Sequence, residues 1–110
     1  MSYRMIALDL DGTLLTSRKQ ILPESLAALD LARKAGLEVM IVTGRHHIAI
    51  HPFYQALKLT TPAICCNGTY LYDYQARSVL ASNPLAPAQA HQVLDRLDQM
   101  NIHGLMYVDD

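Results

Sequence analysis

Two aspartates, Asp9 and Asp11, lie two positions apart, directly after the apolar run Met5-Ile6-Ala7-Leu8. In an extended chain, residues i and i+2 point to the same side and lie about 6.5 Å apart along the strand. Carboxylates this close repel each other, so the pKa of one is expected to rise unless a cation lies between them. A hard cation such as Mg²⁺, which prefers carboxylate and phosphate oxygens, meets that need. Gly12 and Thr13 follow, and they add backbone freedom and a hydroxyl for an anion.

The elements that must position these residues are predicted from the apolar pattern. Strands are predicted at about 4–8, 37–42 and 63–66, with helices at about 23–35 and 46–57 between them. This alternation is typical of βαβ units, and it predicts an α/β fold with a doubly wound, parallel, Rossmann-like sheet that is covered on both faces. Within the second helix, Pro52 predicts a kink or a break.

Each of the three predicted strands ends in small and polar residues. Asp9 to Thr13 follow the first strand, Thr43-Gly44-Arg45 follow the second, and Asn67-Gly68 follow the third. In open α/β sheets, ligands bind beyond the carboxyl ends of the strands. We therefore expect the three sets to line one crevice. Taken singly, each set also fits a plain polar turn, since Asp, Asn and Gly are common turn residues.

Phosphoryl transfer is a reaction that these side chains can perform. One carboxylate can attack phosphorus as a nucleophile, and a second can protonate the leaving oxygen and then take a proton from water. Mg²⁺ would neutralise the phosphoryl oxygens. The hydroxyl of Thr43 and nearby N–H groups can hold a phosphoryl oxygen, and Asn67 can hydrogen-bond the phosphate. Zinc is disfavoured at His46, His47 and His51 because a third ligand in a suitable local pattern is missing.

After the third strand the pattern changes. A β-hairpin is predicted from 69–73 and 77–80, followed by a connector at 82–87. A helix at about 88–100 is predicted to bury an apolar stripe of Val93, Leu94, Leu97 and Met100. A strand is predicted from His103 to Val108, before Asp109-Asp110. This last helix and strand are expected to begin a new unit.

The composition limits the classes of partner. The 110 residues are 51% hydrophobic and 17% charged, which is typical of a globular chain. The net charge of −1 gives no electrostatic reason to expect nucleic acid or a membrane. The adjacent Cys65 and Cys66 are predicted to be buried, reduced thiols, which favours the cytoplasm. The oligomeric state is left open.

The polar motifs resemble those of a known family. Asp9-Leu10-Asp11-Gly12-Thr13 resembles the first motif of the haloacid-dehalogenase superfamily phosphatases, and Thr43-Gly44-Arg45 resembles their second motif. Asn67-Gly68 is similar to the substrate-loop motif of the Cof-type branch, and the similarity extends over essentially all 110 residues. The resemblance implies Mg²⁺-dependent hydrolysis of small phosphorylated metabolites through an aspartyl-phosphate. Pyridoxal 5′-phosphate and sugar phosphates are then the candidate substrates.

The same resemblance implies roles for individual residues. Asp9 is expected to be the nucleophile and an Mg²⁺ ligand. Asp11 is expected to be the general acid and base and to bind Mg²⁺ through its backbone carbonyl. Substrate or phosphate binding is expected from Leu10, Thr43, Gly44, Arg45, Asn67 and Gly68. Residues 1–83 would form the N-terminal part of the core domain, and 84–110 the beginning of an α+β cap.

Two further motifs of the family, a lysine and a set of acidic residues, lie beyond residue 110 in the family's order. Lys34 and Lys58 are in the wrong places to substitute for that lysine. We therefore predict that the 110-residue chain is inactive by itself. Two alternatives stay open, a non-catalytic Mg²⁺ or phosphate-binding module derived from a phosphatase and a receiver-like phospho-acceptor domain. The receiver is disfavoured because no aspartate ends the second or third strand.

Overall fold

The first two strands of the chain, β1 and β2, form a parallel pair. The structure is a computed structural model that describes residues 2–108. Strand β1 (Met5–Leu8) and strand β2 (Glu38–Ile41) run parallel, with helix α1 (Pro23–Lys34) between them in the chain. Helix α1 begins at Pro23, where a proline costs no hydrogen bond. It ends before Gly36, whose φ of +94° suits a glycine. The predicted first βαβ unit is therefore confirmed.

The third strand joins this pair over a shorter length than expected. After helix α2 (His47–Ala56), strand β3 (Ala63–Cys65) lies parallel to the chain that leaves β2, through one bridge between Val42 and Ile64. Its direction is as predicted. On its other side β3 pairs antiparallel with β4 (Tyr70–Asp73), and β4 pairs with β5 (Ser78–Ser82). The β4–β5 pair confirms the predicted hairpin, so the parallel part of the sheet continues into an antiparallel part.

Two expectations about these elements are not met in full. The predicted break at Pro52 does not occur, since helix α2 continues to Ala56, and the kink that was the other expectation stays a prediction. The lost hydrogen bond would have gone to the carbonyl of Ile48, and both Pro52 and Ile48 are exposed, so water can replace it. Strand β1 is not covered on both faces by residues 2–108, because Met5 and Ala7 are exposed while Ile6 and Leu8 are half-buried.

The hydrophobic core lies under the polar strand ends. Its fully buried large side chains are Leu10, Val39, Ile41, Ile50 and Cys65. They come from the turn after β1, from β2, from α2 and from β3, which are the elements that carry or follow the predicted site. Burial raises the pKa of the Cys65 thiol to about 11, and both cysteines are free, as predicted, although Cys66 is only half-buried. The core therefore fixes the three strand ends relative to one another.

The final segment differs from its prediction. Helix α3 (Pro87–Gln99) forms, but the Val93 and Met100 side chains of its apolar stripe are about half exposed. The strand predicted from His103 to Val108 is wrong, because these residues have no ladder partner in the described part of the chain. A strand requires a neighbouring backbone for its hydrogen bonds. Asp109 and Asp110 lie outside the described residues, and the division at residue 84 stays a prediction.

No helix within residues 2–108 is both long enough and apolar enough to cross a membrane.

Candidate active site

Asp9 lies where β1 gives way to a single wide turn. The turn spans Leu10–Leu14 and closes through hydrogen bonds from Leu14 N to Asp9 O (3.3 Å) and from Leu15 N to Leu10 O (2.9 Å). Gly12 has a φ of +76° in this turn, a conformation that costs a glycine little. Leu10 is fully buried and anchors the turn to the core, and its N–H donates to Asp9 Oδ1 at 2.8 Å. These contacts hold the Asp9 carboxylate at the carboxyl end of β1.

Thr43 is fixed in the same way at the end of β2. It is buried, its N–H donates to Ile64 O at 2.9 Å, and its carbonyl accepts from Asn67 N at 3.0 Å. Its hydroxyl oxygen accepts the N–H of Arg45 at 3.0 Å. That acceptor role leaves the hydroxyl hydrogen to point elsewhere, so Thr43 can still donate a hydrogen bond to a ligand.

Three consecutive residues after β3 have left-handed backbone angles. The φ values are 48° at Cys66, 55° at Asn67 and 92° at Gly68. Such angles are unfavourable for residues with a side chain, and they persist only where the surroundings enforce them. Here the backbone bonds of Cys66 N to Arg45 O and of Asn67 N to Thr43 O, both 3.0 Å, enforce them. The turn brings the Asn67 side chain against Gly44, where an added Cβ would lie only 2.9 Å from Asn67 Oδ1.

The three strand ends enclose one crevice. Its volume is about 410 Å³, and its lining includes four of the predicted site residues, Asp9, Thr43, Gly44 and Asn67. Ala7 and Val42 complete the lining. Carboxylate, hydroxyl and amide groups from the ends of β1, β2 and β3 therefore surround a space with room for a small polar ligand. The remaining predicted residues have other positions.

Asp11 is held by two cations beside the crevice. Arg45 Nε donates to Asp11 Oδ2 and Arg45 Nη2 to Asp11 Oδ1, both at 2.7 Å, and Lys19 Nζ lies 2.8 Å from Asp11 Oδ1. The guanidinium of Arg45, followed by the ammonium of Lys19, holds the pKa of the Asp11 carboxyl well below its usual range. The positive charge next to Asp11 therefore comes from two side chains of this chain, Arg45 and Lys19. They lower the pKa of Asp11, whereas two neighbouring carboxylates without a cation would raise it.

The other predicted side chains lie outside the crevice. Leu10 contributes its side chain to the core, and Gly68 lines a separate surface depression beside β4 and β5. Contacts of these two residues with a substrate stay predictions.

The histidines of helix α2 belong to an aromatic cluster and not to a metal site. His47 is buried and its ring stacks on Tyr72 with centroids 3.7 Å apart. The Tyr70 hydroxyl accepts the His47 N–H at 2.8 Å and lies 2.8 Å from its Nδ1, and the Tyr74 hydroxyl donates to the His47 carbonyl. Tyrosines therefore pack the hairpin against the start of α2. Within residues 2–108 no group of three or more His, Cys, Asp or Glu side chains could hold a metal ion.

A single Mg²⁺ ion nevertheless fits the oxygen donors of the site. Mg²⁺ is commonly bound through one or two carboxylates, with water and phosphate oxygens completing the shell. Asp9 offers a carboxylate inside the crevice. The carboxylate of Asp11 is occupied by Arg45 and Lys19, so its backbone carbonyl is the group that remains for a cation.

The contacts of Asp11 with Arg45 and Lys19 were not predicted from the sequence, and no role was assigned to Lys19. Lys19 lies eight residues after Asp11, in a polar stretch. The available signal was a basic pair, Arg18-Lys19, between apolar residues that could bring the chain back, and Leu15 and Ile21 do form an antiparallel bridge.

The chain matches the family model of haloacid dehalogenase-like hydrolases over residues 6–110. It is 64% identical to the pyridoxal phosphate phosphatase YbhA of Escherichia coli over 110 residues, which are 100% of this chain and 40% of that protein. It is 33% identical to the phosphatase YwpJ of Bacillus subtilis over 91% of this chain and 35% of that protein. This chain thus spans about two fifths of the length of these relatives or less.

A solved structure has the same fold. The structure of a haloacid dehalogenase-like hydrolase from B. subtilis superposes with a TM-score of 0.78 and 33% sequence identity. The match covers 89% of this chain and 34% of that one.

Proposed function

Since this chain belongs to the haloacid dehalogenase-like hydrolases, we propose that the protein is an Mg²⁺-dependent phosphatase of small phosphate monoesters. The observation that carries this proposal is the crevice lined by Asp9, Thr43 and Asn67, which come from three different strand ends. A nucleophile, a hydroxyl donor and an amide donor around one small space are the groups that a phosphoryl group requires. Both cysteines are free, which supports action in the cytoplasm.

The first step is attack by Asp9. One of its carboxylate oxygens forms a bond to phosphorus while the bond from phosphorus to the ester oxygen breaks, and an aspartyl-phosphate results. The leaving oxygen takes a proton from the carboxyl of Asp11. Thr43 and Asn67 donate hydrogen bonds to the phosphoryl oxygens, and Arg45 binds the phosphoryl group as a cation. The Asp9 carboxylate and the Asp11 carbonyl would hold Mg²⁺, which would supply positive charge to offset the charge on the phosphoryl oxygens.

The second step releases phosphate. Water attacks the phosphorus atom, the bond from phosphorus to the Asp9 oxygen breaks, and Asp11 takes the proton from the water. This step requires Asp11 in its ionised form, which Arg45 and Lys19 favour in the structure. The first step requires Asp11 to be protonated, and its two hydrogen bonds from Arg45 oppose that. Arg45 must therefore give up at least one of these bonds and donate to the incoming phosphoryl group instead. A dianionic phosphoryl group provides the charge for such a transfer.

Pyridoxal 5′-phosphate is the first candidate substrate. The support is the relative from E. coli, which is 64% identical over the whole of this chain and is named a pyridoxal phosphate phosphatase. Sugar phosphates are the second candidate. We further propose that residues 84–110 begin a cap domain that selects between such substrates.

The test begins with the intact mass of the protein produced in its native cell, compared with the 12.3 kDa of the 110 residues. That native protein is then purified, and phosphate release from pyridoxal 5′-phosphate is measured with Mg²⁺ and with a chelator. We expect turnover with Mg²⁺, loss of turnover with the chelator and loss in Asp9→Asn. Asp30→Asn, which removes an exposed carboxylate on α1, is the matched control and should leave turnover unchanged.

The 110-residue chain alone is the object of a second measurement. We expect it to be inactive, since it spans 40% of the length of its E. coli relative. Robust Mg²⁺-dependent turnover by this chain, lost in Asp9→Asn, would contradict that expectation. Phosphate binding without turnover by the native protein would instead favour a non-catalytic binding module.

A further inference from the structure

Lys19 lies in the loop between Leu15 and Ile21, which is closed by several hydrogen bonds. Leu15 and Ile21 form an antiparallel bridge, and the N–H of Thr16 donates to the carbonyl of Gln20 at 2.8 Å. Inside the loop, Lys19 N donates to Thr16 O at 2.9 Å, and Gln20 N donates to Thr16 Oγ1 at 3.2 Å. The loop is therefore closed by its own hydrogen bonds, and its two ends are anchored to the core through Leu15 and Ile21.

The backbone of Lys19 is in an unfavourable conformation. Its φ is 60°, in the left-handed region that residues with a side chain rarely occupy. Its ammonium is 2.8 Å from Asp11 Oδ1. Such conformations persist when the surrounding structure requires them, and they concentrate at functional sites.

A second lysine of the chain shows what an ordinary ion pair looks like. Lys34 lies 2.8 Å from Asp30 in an i, i+4 pair on α1, which needs no special backbone angle. Exposed pairs of this kind contribute little to stability. The pair of Lys19 with Asp11 has the same length, but it requires a closed loop and a strained residue, and its carboxylate is also bound by Arg45. The Asp11 carboxylate is therefore contacted by two cations at once.

We propose that Lys19 is a positioning residue that keeps the carboxylate of Asp11 in place while Arg45 binds the phosphoryl group. This inference rests on the proposed function, in which Asp11 transfers protons and Arg45 contacts the substrate. Arg45 bonds to both oxygens of Asp11, so its departure would leave the carboxylate free to rotate unless a second group held it. Lys19, which lies eight residues after Asp11 in the chain, donates to Oδ1 and can be that second group. Misplacing a catalytic group by about 1 Å can cost roughly 10²-fold in rate.

The test compares variants of the native protein under saturating and limiting substrate. For Lys19→Met we expect kcat to fall by roughly tenfold, within the range that misplacement produces, with KM unchanged. Lys19→Arg should recover most of the rate because it keeps the charge. Lys34→Met is the matched control, since it breaks an exposed Lys–Asp pair of the same length, and it should behave as the wild type.

A double variant tests whether Lys19 acts through Asp11. In an Asp11→Asn background, Lys19→Met should cause no further loss, since residues that act as one unit are not additive. Three outcomes would overturn the inference. They are a Lys19→Met rate equal to that of Lys34→Met, a rise in KM with kcat unchanged, and a full additional loss in the Asp11→Asn background.

A measurement without turnover separates this inference from the proposed function. The NMR signal of the Arg45 Nε–H reports its bond to Asp11 Oδ2, which is 2.7 Å in the structure. We expect Lys19→Met, but not Lys34→Met, to shift this signal. A native protein with no phosphatase activity would refute the proposed function, and a signal that Lys19→Met leaves unchanged would refute the role of Lys19 in holding Asp11.

Discussion

The guanidinium of Arg45 contacts both carboxylate oxygens of Asp11, each at 2.7 Å. Asp11 follows β1 and Arg45 follows β2, so this two-point contact joins the ends of the two parallel strands across 34 positions of sequence. Two parallel charge-assisted hydrogen bonds fix orientation as well as distance. The contact explains why the turn after β1 and the turn after β2 hold a defined arrangement beside the crevice.

Replacing Arg45 by Met should make stability depend less on pH. Arg45, with Lys19, holds the pKa of Asp11 well below its usual range. A carboxyl with a lowered folded pKa adds stability above its unfolded pKa of about 3.9, and this stability is lost as the pH falls through the folded value. We expect Arg45→Met to be slightly less stable than the wild type at neutral pH, because Asp11 is partly exposed and solvent weakens the pair. The difference should shrink below about pH 4.

Urea unfolding at neutral and acidic pH measures this difference. Arg18→Met is the matched control, since it removes an exposed cation from the loop next to Lys19. If the difference in the free energy of unfolding between Arg45→Met and the wild type does not change with pH, the pair with Asp11 is not the cause of that difference.

The strand ends could be predicted from the sequence because each follows an apolar run and begins with residues suited to turns. Asp9, Thr43 and Asn67 were placed at one edge of a sheet on that basis, and they do line one crevice. The pairing of Asp11 with Lys19 was not predicted, because the basic pair Arg18-Lys19 does not show which side chain turns towards Asp11, and the contact depends on a left-handed residue inside a loop. Sequence patterns carry no information on which lysine will adopt such an angle.

The failed predictions have a common physical cause. Val108 and its neighbours have the composition of a strand, but a strand forms only when another backbone accepts its hydrogen bonds. Pro52 has the local chemistry of a helix breaker, but the packing of Ile50 and Tyr54 in the core keeps α2 continuous around it. In both cases tertiary contacts, which a local pattern does not contain, determined the outcome.

A methyl group at Gly44 should disturb catalysis more than folding. In Gly44→Ala the new Cβ would lie 2.9 Å from Asn67 Oδ1, so the amide must move out of its place in the crevice. We expect kcat/KM of the native protein to fall by about tenfold or more, since small displacements of binding groups are costly. Gly104→Ala is the matched control, because its Cβ would lie 2.7 Å from a flexible Leu97 methyl, away from the crevice. Equal activity of the two variants would contradict the role of Asn67.

Removing the hydroxyl of Tyr70 should loosen the start of helix α2. This hydroxyl accepts the His47 N–H at 2.8 Å and contacts His47 Nδ1 at 2.8 Å. Taking a partner from a buried polar group costs about 1–3 kcal/mol, so Tyr70→Phe should lower the free energy of unfolding by about that amount. Tyr3→Phe, at a side chain that is 78% exposed, should have no effect. Urea unfolding measures both, and an unchanged Tyr70→Phe would show that the contact adds nothing to stability.

Ile50 should be the most sensitive apolar position of helix α2. Its side chain is fully buried in the core, whereas Ile48, on the same helix, is 62% exposed. Truncation of a buried isoleucine removes apolar contacts and leaves a cavity, so Ile50→Ala should lower the free energy of unfolding by about 2–5 kcal/mol. Ile48→Ala makes the same chemical change and should cost at most about 0.5 kcal/mol, as is usual for surface positions. Helix α2 begins two residues after Arg45, so loss of its anchor should also weaken the contact of Arg45 with Asp11. Equal urea midpoints for the two variants would show that α2 does not pack on the core through Ile50.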